Sequence, residues 1–315
     1  VTSTGIDVGG TNIKAVLCEV GGTVVYQVTI PTRAADGPEA VFGQINRAID
    51  DCLAHNILNE KVAGIGIGVP GSIDQKSGVV AYPPNLPGWT VVPLGSRLHE
   101  RWNMPVHVDN DANCAALGEA WFGAGREYNS FVGLTLGTGV GSGIIINRKV
   151  HTGDHGFGGE FGHVSIDYNG PLCGCGNRGC VEAYIGNSYL SAEAVRVLRE
   201  APGSQLHQCA VETPGLMTPL MLSEAADAGD QAAYGVLRNA GRMLGYCVAS
   251  VANLLDITTF IIGGGVSAAG APLFEGIESA ARERTLIVHR NNLLILPAAL
   301  GNDAGMLGAA ALAAL

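Results

Sequence analysis

The chain has 315 residues, 47% of them hydrophobic and 15% charged, with 46 glycines and a net charge of −10. That apolar content excludes a disordered chain, and the acidic balance argues against nucleic acid or an anionic membrane surface as partner, since both require a basic face. No apolar stretch reaches membrane-spanning length without Gly, Pro or charge, and the N-terminus enters a strand pattern with no basic region or cleavage site, so a cytosolic, cytoplasmic protein is expected.

In chain order, residues 4–30 (TGIDVGGTNIKAVLCEVGGTVVYQVTI) read as strand, glycine turn, strand, turn, strand. Residues 38–55 carry apolar positions at helical spacing, with Pro38 suited to the first turn. VAGIGIGVPGSID, at 62–74, reads as a buried strand ending in a glycine loop, and PVHVDNDANCAALGEAWFGAG, at 105–125, as a strand running into a helix. The opening pattern then returns in FVGLTLGTGVGSGIIINRKVHTG. Residues 188–255 are helical in pattern, interrupted by PGLMTPL; ITTFIIGGGVSAAG is a buried strand opening a helix, and GNDAGMLGAAALAAL is a small-residue helix.

Strands alternating with helices give an α/β class. The repeated strand–glycine-turn–strand device at IDVGGTNIKAV and LTLGTGVGSGII points to a duplicated domain with a ligand cleft between the copies. The expected division is 1–118, joined by a returning helix at 301–315, and 119–300.

The densest chemistry lies in GEFGHVSIDYNGPLCGCGNRGCVEAY, residues 159–184. His163, Cys173, Cys175 and Cys180 form a Cys₃His set, the donor mix of a closed structural Zn²⁺ site with no open position for activated water. The other five cysteines, Cys18, Cys52, Cys114, Cys209 and Cys247, sit singly in apolar or helical surroundings and read as buried reduced thiols. If zinc takes one nitrogen of His163, the ring's other nitrogen is left to face a ligand beside Glu160 and Glu182. Such a cluster suits a polyhydroxy ligand. Composition alone would make both glutamates solvated surface acids.

GIDVGGT and LTLGTGVG resemble phosphate-cradling turns, and no Walker-type G-x-x-x-x-G-K-[ST] loop is present. The G-x-G-x-x-G matches beginning at Gly66 and Gly174 are poor dinucleotide signals, because the first opens no helix at once and the second lies inside the cysteine loop. In VDNDAN, Asp109 and Asp111 stand where a strand meets a helix, placed as a base for phosphoryl transfer or as an ordinary N-cap. NDA recurs at residues 302–304, and spacing does not choose between the copies.

These motifs together resemble the ROK family of bacterial sugar kinases, most closely its glucokinases. The resemblance spans the chain and rests on DVGGT, PPNLPGW at 83–89, DNDAN at 109–113, LGTGVGSG at 136–143, GEFGH with CGCGNRGCVE, and IIGGG at 261–265. It implies two ribonuclease-H-like, actin-like domains binding ATP, Mg²⁺ and a hexose, and phosphorylation at the 6-hydroxyl, with glucose favoured. It implies Asp111 as catalytic base, and Gly71, Asn85, Asn110, Glu160, His163 and Glu182 around the sugar. Asp7, Gly9, Gly10, Thr11, Gly137, Thr138 and Gly139 would meet phosphates and Mg²⁺; Gly264 and Gly265 would meet adenosine.

Many relatives carry lysine directly after GGT, where this chain has Asn12, with Lys14 two residues on. N-acetylmannosamine, N-acetylglucosamine, mannose and fructose kinases share the core motifs, and polyphosphate is an alternative donor. A non-catalytic sugar-sensing regulator would have lost the base or the phosphate turns; both are present, and the six residues before Asp7 and the acidic charge argue against a repressor. A two-fold homodimer is the default for such an enzyme.

Overall fold

The computed structural model describes residues 1–56 and 60–314. The first run of elements is β1 (Thr2–Val8), β2 (Asn12–Glu19), β3 (Val24–Pro31), α1 (Pro38–Ala54), β4 (Val62–Val69), β5 (Ser72–Asp74), β6 (Val79–Ala81), β7 (Val91–Val92), α2 (Leu94–Trp102), β8 (Val106–Asn110) and α3 (Asp111–Phe122). Next come β9 (Phe131–Leu136), β10 (Val140–Ile146), β11 (Lys149–Val150), α4 (Glu182–Ile185), α5 (Asn187–Arg199), α6 (His207–Glu212), α7 (Pro219–Asp227) and α8 (Gln231–Leu255). The chain ends in β12 (Thr259–Gly263), α9 (Ala271–Arg284), α10 (Ile287–Arg290), β13 (Leu294–Pro297) and α11 (Ala304–Ala314).

Two five-stranded sheets run β3-β2-β1-β4-β8 and β11-β10-β9-β12-β13, and β5–β7 form a small third sheet. In chain order both large sheets read 3-2-1-4-5. In the first, β1 pairs antiparallel with β2 and parallel with β4, and β4 parallel with β8; in the second, β12 pairs parallel with β13. This is a duplicated ribonuclease-H-like arrangement in the mixed α/β class. Among the described residues no helix is long and apolar enough to cross a membrane.

One compact unit comprises Val1–Gly133, Gly143–Gly159 and Ala298–Leu315; the other comprises Leu134–Ser142 and Glu160–Pro297. The expected boundary at 118 falls inside α3, which runs on to Phe122. The physical reason is Glu119, 3% exposed. Its carboxylate accepts the backbone N–H of Ala124 at 2.7 Å, Ala299 at 3.0 Å and Leu300 at 2.8 Å, which ties the end of α3 to the returning chain.

In the first unit the sheet's two faces are written in its alternation. Ile6, Val8, Ile13, Ala15 and Leu17 pack with Val41, Ile45 and Ile49 of α1, each large aliphatic contributing roughly 1.5–3 kcal/mol on burial. The opposite face carries Val16 and Cys18 against Met306, Leu307 and Ala310 of α11. In β4, Ile65, Ile67 and Val69 join the α1-side core. Gly66 lies on the other face, where a Cβ would overlap the Ala309 carbonyl, and Gly68 meets Cys114 of α3. The G-x-G-x-x-G run at 66–71 is thus a helix-packing surface followed by a turn, not a nucleotide loop.

In the second unit α8 starts at Asp230, whose side chain accepts from the amides of Ala232 and Ala233. Gly241 and Gly245 on α8 let α9 approach so closely that a Cβ would run into the carbonyls of Leu273 and Ile277. All eight cysteines are unpaired; Cys18, Cys52, Cys114 and Cys247 are buried as expected, whereas Cys209 on α6 is half-exposed because only Ala210 of that short helix is buried.

Candidate functional site

The first unit gathers its candidate residues where β1, β2, β8 and α3 end or begin. The GGT turn is pinned from below: Gly9 N–H donates to Asn12 O at 2.9 Å, Thr32 N–H to Thr11 O at 2.9 Å, and Thr32 Oγ1 to Gly9 O at 2.6 Å. Thr32 is fully buried, so Gly9, Gly10 and the exposed Thr11 keep a fixed outline. A Cβ on Gly10 would sit 3.0 Å from Asn85 Cβ, which sets the PPNLPGW loop beside this turn. Leu86 and Trp89 anchor that loop in the core and leave Asn85 exposed. Tyr82, just before it, holds a φ of 48°, a strained conformation of the sort that gathers at functional loops.

β8 delivers the acids. Asn110 caps α3, its side chain accepting from Ala112 N and Asn113 N, and its Nδ2 donates to Gly71 O at 3.2 Å. Gly71, with φ 103°, lies so close to Pro83 that a Cβ would come within 2.8 Å of its Cα. Asn110 and Pro83 thus both lie against Gly71, and Asn85, two residues after Pro83, lies against Gly10.

Asp109 turns inward. It is 2% exposed, burial pushes its carboxyl up, and it accepts from Asn110 N at 2.7 Å and Asn113 Nδ2 at 2.9 Å. Asp111 occupies the first turn of α3, half-buried. Burial, and next the charge of Asp111, push Asp7 up to about 6. Two crowded carboxylates of this kind fit a hard divalent cation such as Mg²⁺, which takes oxygen ligands and would relieve their repulsion.

The second unit carries the cysteine knuckle. Bridges Ser165↔Cys180 and Leu172↔Arg178 fold it, and the donor atoms of His163, Cys173, Cys175 and Cys180 all lie within 4.8 Å of one another. Cys175 and Cys180 Sγ are 3.7 Å apart, as are Cys173 Sγ and His163 Nδ1. A tetrahedron with Zn–S of about 2.3 Å has edges of about 3.8 Å, so the donor set fits zinc in geometry and in chemistry. Burial pushes the Cys173 thiol up to about 12 and raises Cys180, while the Asn177 amide pulls Cys175 down. A cation must therefore displace protons to bind.

Nδ1 of His163 faces the sulfurs, which leaves Nε2 for a ligand. Glu160 is exposed at the start of the single turn Phe161–His163. Glu182, by contrast, is built in. Its Oε2 accepts Val140 N–H at 3.0 Å, and Cys173 Sγ lies 3.5 Å from Oε1. Gly139 has no Cβ where that carboxylate passes.

Gly137, Thr138 and Gly139 form the β9–β10 turn, in which Gly137 N–H donates to Gly139 O at 2.9 Å and Asn187 N–H to Gly137 O at 2.9 Å. Gly264, with φ 89°, presses on the Leu136 backbone at the head of the same turn. Gly137 and Gly265 face open space among the described residues. Sequence reasoning missed Gly305, whose missing Cβ makes room for the Asp7 carboxylate, and Asn113, the buried brace of Asp109. The i, i+4 spacing of Asp109 and Asn113 was the one available signal.

The chain is 38% identical to a glucokinase of Halalkalibacterium halodurans over 306 residues, covering 96% of this chain and 92% of that protein. It is 36% identical to a glucokinase of Thermotoga maritima over 312 residues, covering 98% and 96%. Among solved structures, a ROK family glucokinase from Streptomyces griseus in complex with glucose and AMPPNP superposes with a TM-score of 0.82 at 34% identity, covering 98% of each chain. The sequence pattern of the ROK family matches residues 3–315, and the chain belongs to that family.

Proposed function

We propose that the protein is an ATP-dependent hexose 6-phosphotransferase acting on glucose. The observation that carries this reading is Asp111 in the first turn of α3, beside its cap Asn110 and clear of the buried Asp109, in a chain matched nearly end to end by glucokinases.

Asp111 takes the proton of the 6-hydroxyl as that oxygen attacks the γ-phosphorus. The new O–P bond forms, the β–γ bridging bond breaks, and ADP leaves. The N-terminal end of α3 favours negative charge at this position. Gly71, Asn85 and Asn110 in the first unit, and Glu160, His163 and Glu182 in the second, hold sugar hydroxyls, with His163 donating from Nε2. The amides and hydroxyls of Gly9, Gly10, Thr11, Gly137, Thr138 and Gly139 hold phosphates beside Asp7, and Gly264 and Gly265 adjoin adenosine. Mg²⁺, when bound, supplies positive charge against the transferring phosphoryl group; zinc in the knuckle supplies rigidity. The family resemblance further supports a cytoplasmic homodimer.

An ADP-release assay over glucose, mannose, fructose and N-acetylated hexosamines, with ATP and polyphosphate as donors, tests the substrate. Asp111→Asn tests the base: turnover should fall about 10²–10⁴-fold with glucose binding retained. Near-normal turnover would remove Asp111 from that role.

A further inference from the structure

β10 leaves the Gly137–Gly139 turn as Val140, Gly141 and Ser142, and strand alternation sends Val140 and Ser142 to one face. Both are buried. The single turn Phe161–His163 lies on that face. A Cβ on Gly162 would fall 2.2 Å from the Val140 carbonyl oxygen and 3.0 Å from the Val140 Cβ. Two residues along, Ser142 Oγ accepts the Phe161 N–H at 3.2 Å in a buried hydrogen bond.

Phe161 opens its turn, and the first amides of a helical turn find no partner within it. The Ser142 hydroxyl supplies one from the neighbouring strand. Inside the turn His163 N–H donates to Glu160 O at 3.1 Å, so Glu160, Phe161 and His163 are held as one piece. Val140 N–H meanwhile donates to Glu182 Oε2 at 3.0 Å. A three-residue stretch of β10 therefore seats Glu160, His163 and Glu182 together.

We infer that Ser142 is a positioning residue for the sugar. Its hydroxyl fixes the Glu160–His163 turn on β10, and through that turn it sets glucose affinity. The inference rests on the proposed sugar role of Glu160 and His163 and adds to it a buried residue that acts through them.

The test combines glucose titration calorimetry with steady-state kinetics. Ser142→Ala removes the acceptor and adds no bulk. Its glucose Kd and glucose KM should rise about tenfold, while the KM for ATP changes by less than about threefold. Ser223→Ala is the control for general loosening: it removes another buried serine hydroxyl of the same unit, one that donates to Ala269 O at 3.4 Å. It should leave glucose affinity unchanged. If Ser142→Ala does not fold, Ser142→Cys, whose sulfur is a weak acceptor, should show the same selective loss at smaller size. Wild-type glucose affinity in the folded variant would overturn the inference. So would an equal loss for ATP, or an equal loss in Ser223→Ala, either of which would leave Ser142 a general structural tie. A wild-type protein that binds no glucose would overturn the sugar reading itself, and the inference with it.

Discussion

Glu182 Oε2 accepts the backbone N–H of Val140 at 3.0 Å while its Oε1 lies 3.5 Å from Cys173 Sγ. One carboxylate thereby joins the cysteine knuckle to the Gly137–Gly139 turn. A residue that composition alone would leave in solvent is a brace.

Replacing Glu182 by Ala strands the Val140 N–H, a loss of about 1–3 kcal/mol. Melting temperature should fall, and the KM values for sugar and nucleotide should both rise. Glu182→Gln keeps an acceptor for Val140, so it should restore the melting temperature but not the sugar KM. If Glu182→Ala melts like wild type, the brace does not exist.

The knuckle makes its own prediction. Purified protein should carry about one zinc per chain. A strong chelator should lower the melting temperature by roughly 5–10 °C and weaken glucose binding. Cys175→Ser should already be weakened and respond little to chelator. Glucose affinity unchanged in folded, zinc-free protein would separate the knuckle from the sugar.

Much of this was legible in the sequence, and the gaps have physical causes. Both glycine turns, the Cys₃His set and the small-residue terminal helix are local patterns, and each stands where its pattern put it. The domain boundary was not legible, because the contacts of Glu119 with Ala299 and Leu300 span about 180 residues and leave no local trace. Asp109 and Asp111 are indistinguishable by spacing; burial separates them. Glu160 and Glu182 look alike in sequence, yet one is exposed and the other wedged beneath Gly139, a difference only the tertiary fold writes.

The glycine alternation of β4 can be tested directly. A Cβ at Gly66 would fall inside the Ala309 carbonyl, backbone that α11 cannot move without losing its contacts with β1 and β4. Gly66→Ala should destabilise the protein by about 3 kcal/mol or more by chemical denaturation. Gly203, with nothing within 4 Å of its added Cβ, is the control, and Gly203→Ala should change stability by less than about 0.5 kcal/mol. Equal effects at the two positions would refute the packing argument.

Asp7 shows a site set against stability. Burial first, and the charge of Asp111 second, raise its carboxyl from 3.8 to about 6, so the folded state holds the proton more tightly than the unfolded one. The sign follows: this residue's contribution is most favourable below pH 3.8, declines as pH rises to about 6, and is flat above. Ionised Asp7 therefore costs the ligand-free protein roughly 3 kcal/mol at neutral pH. Asp7→Asn should raise stability at pH 7.5 by up to that amount and bring little gain near pH 4, while turnover collapses. Mg²⁺ should stabilise wild type at pH 7.5 and leave Asp7→Asn unmoved. Urea unfolding of both proteins at the two pH values, with and without Mg²⁺, measures each difference; a stability gain equal at both pH values would mean that the carboxylate's charge is not what the fold resists.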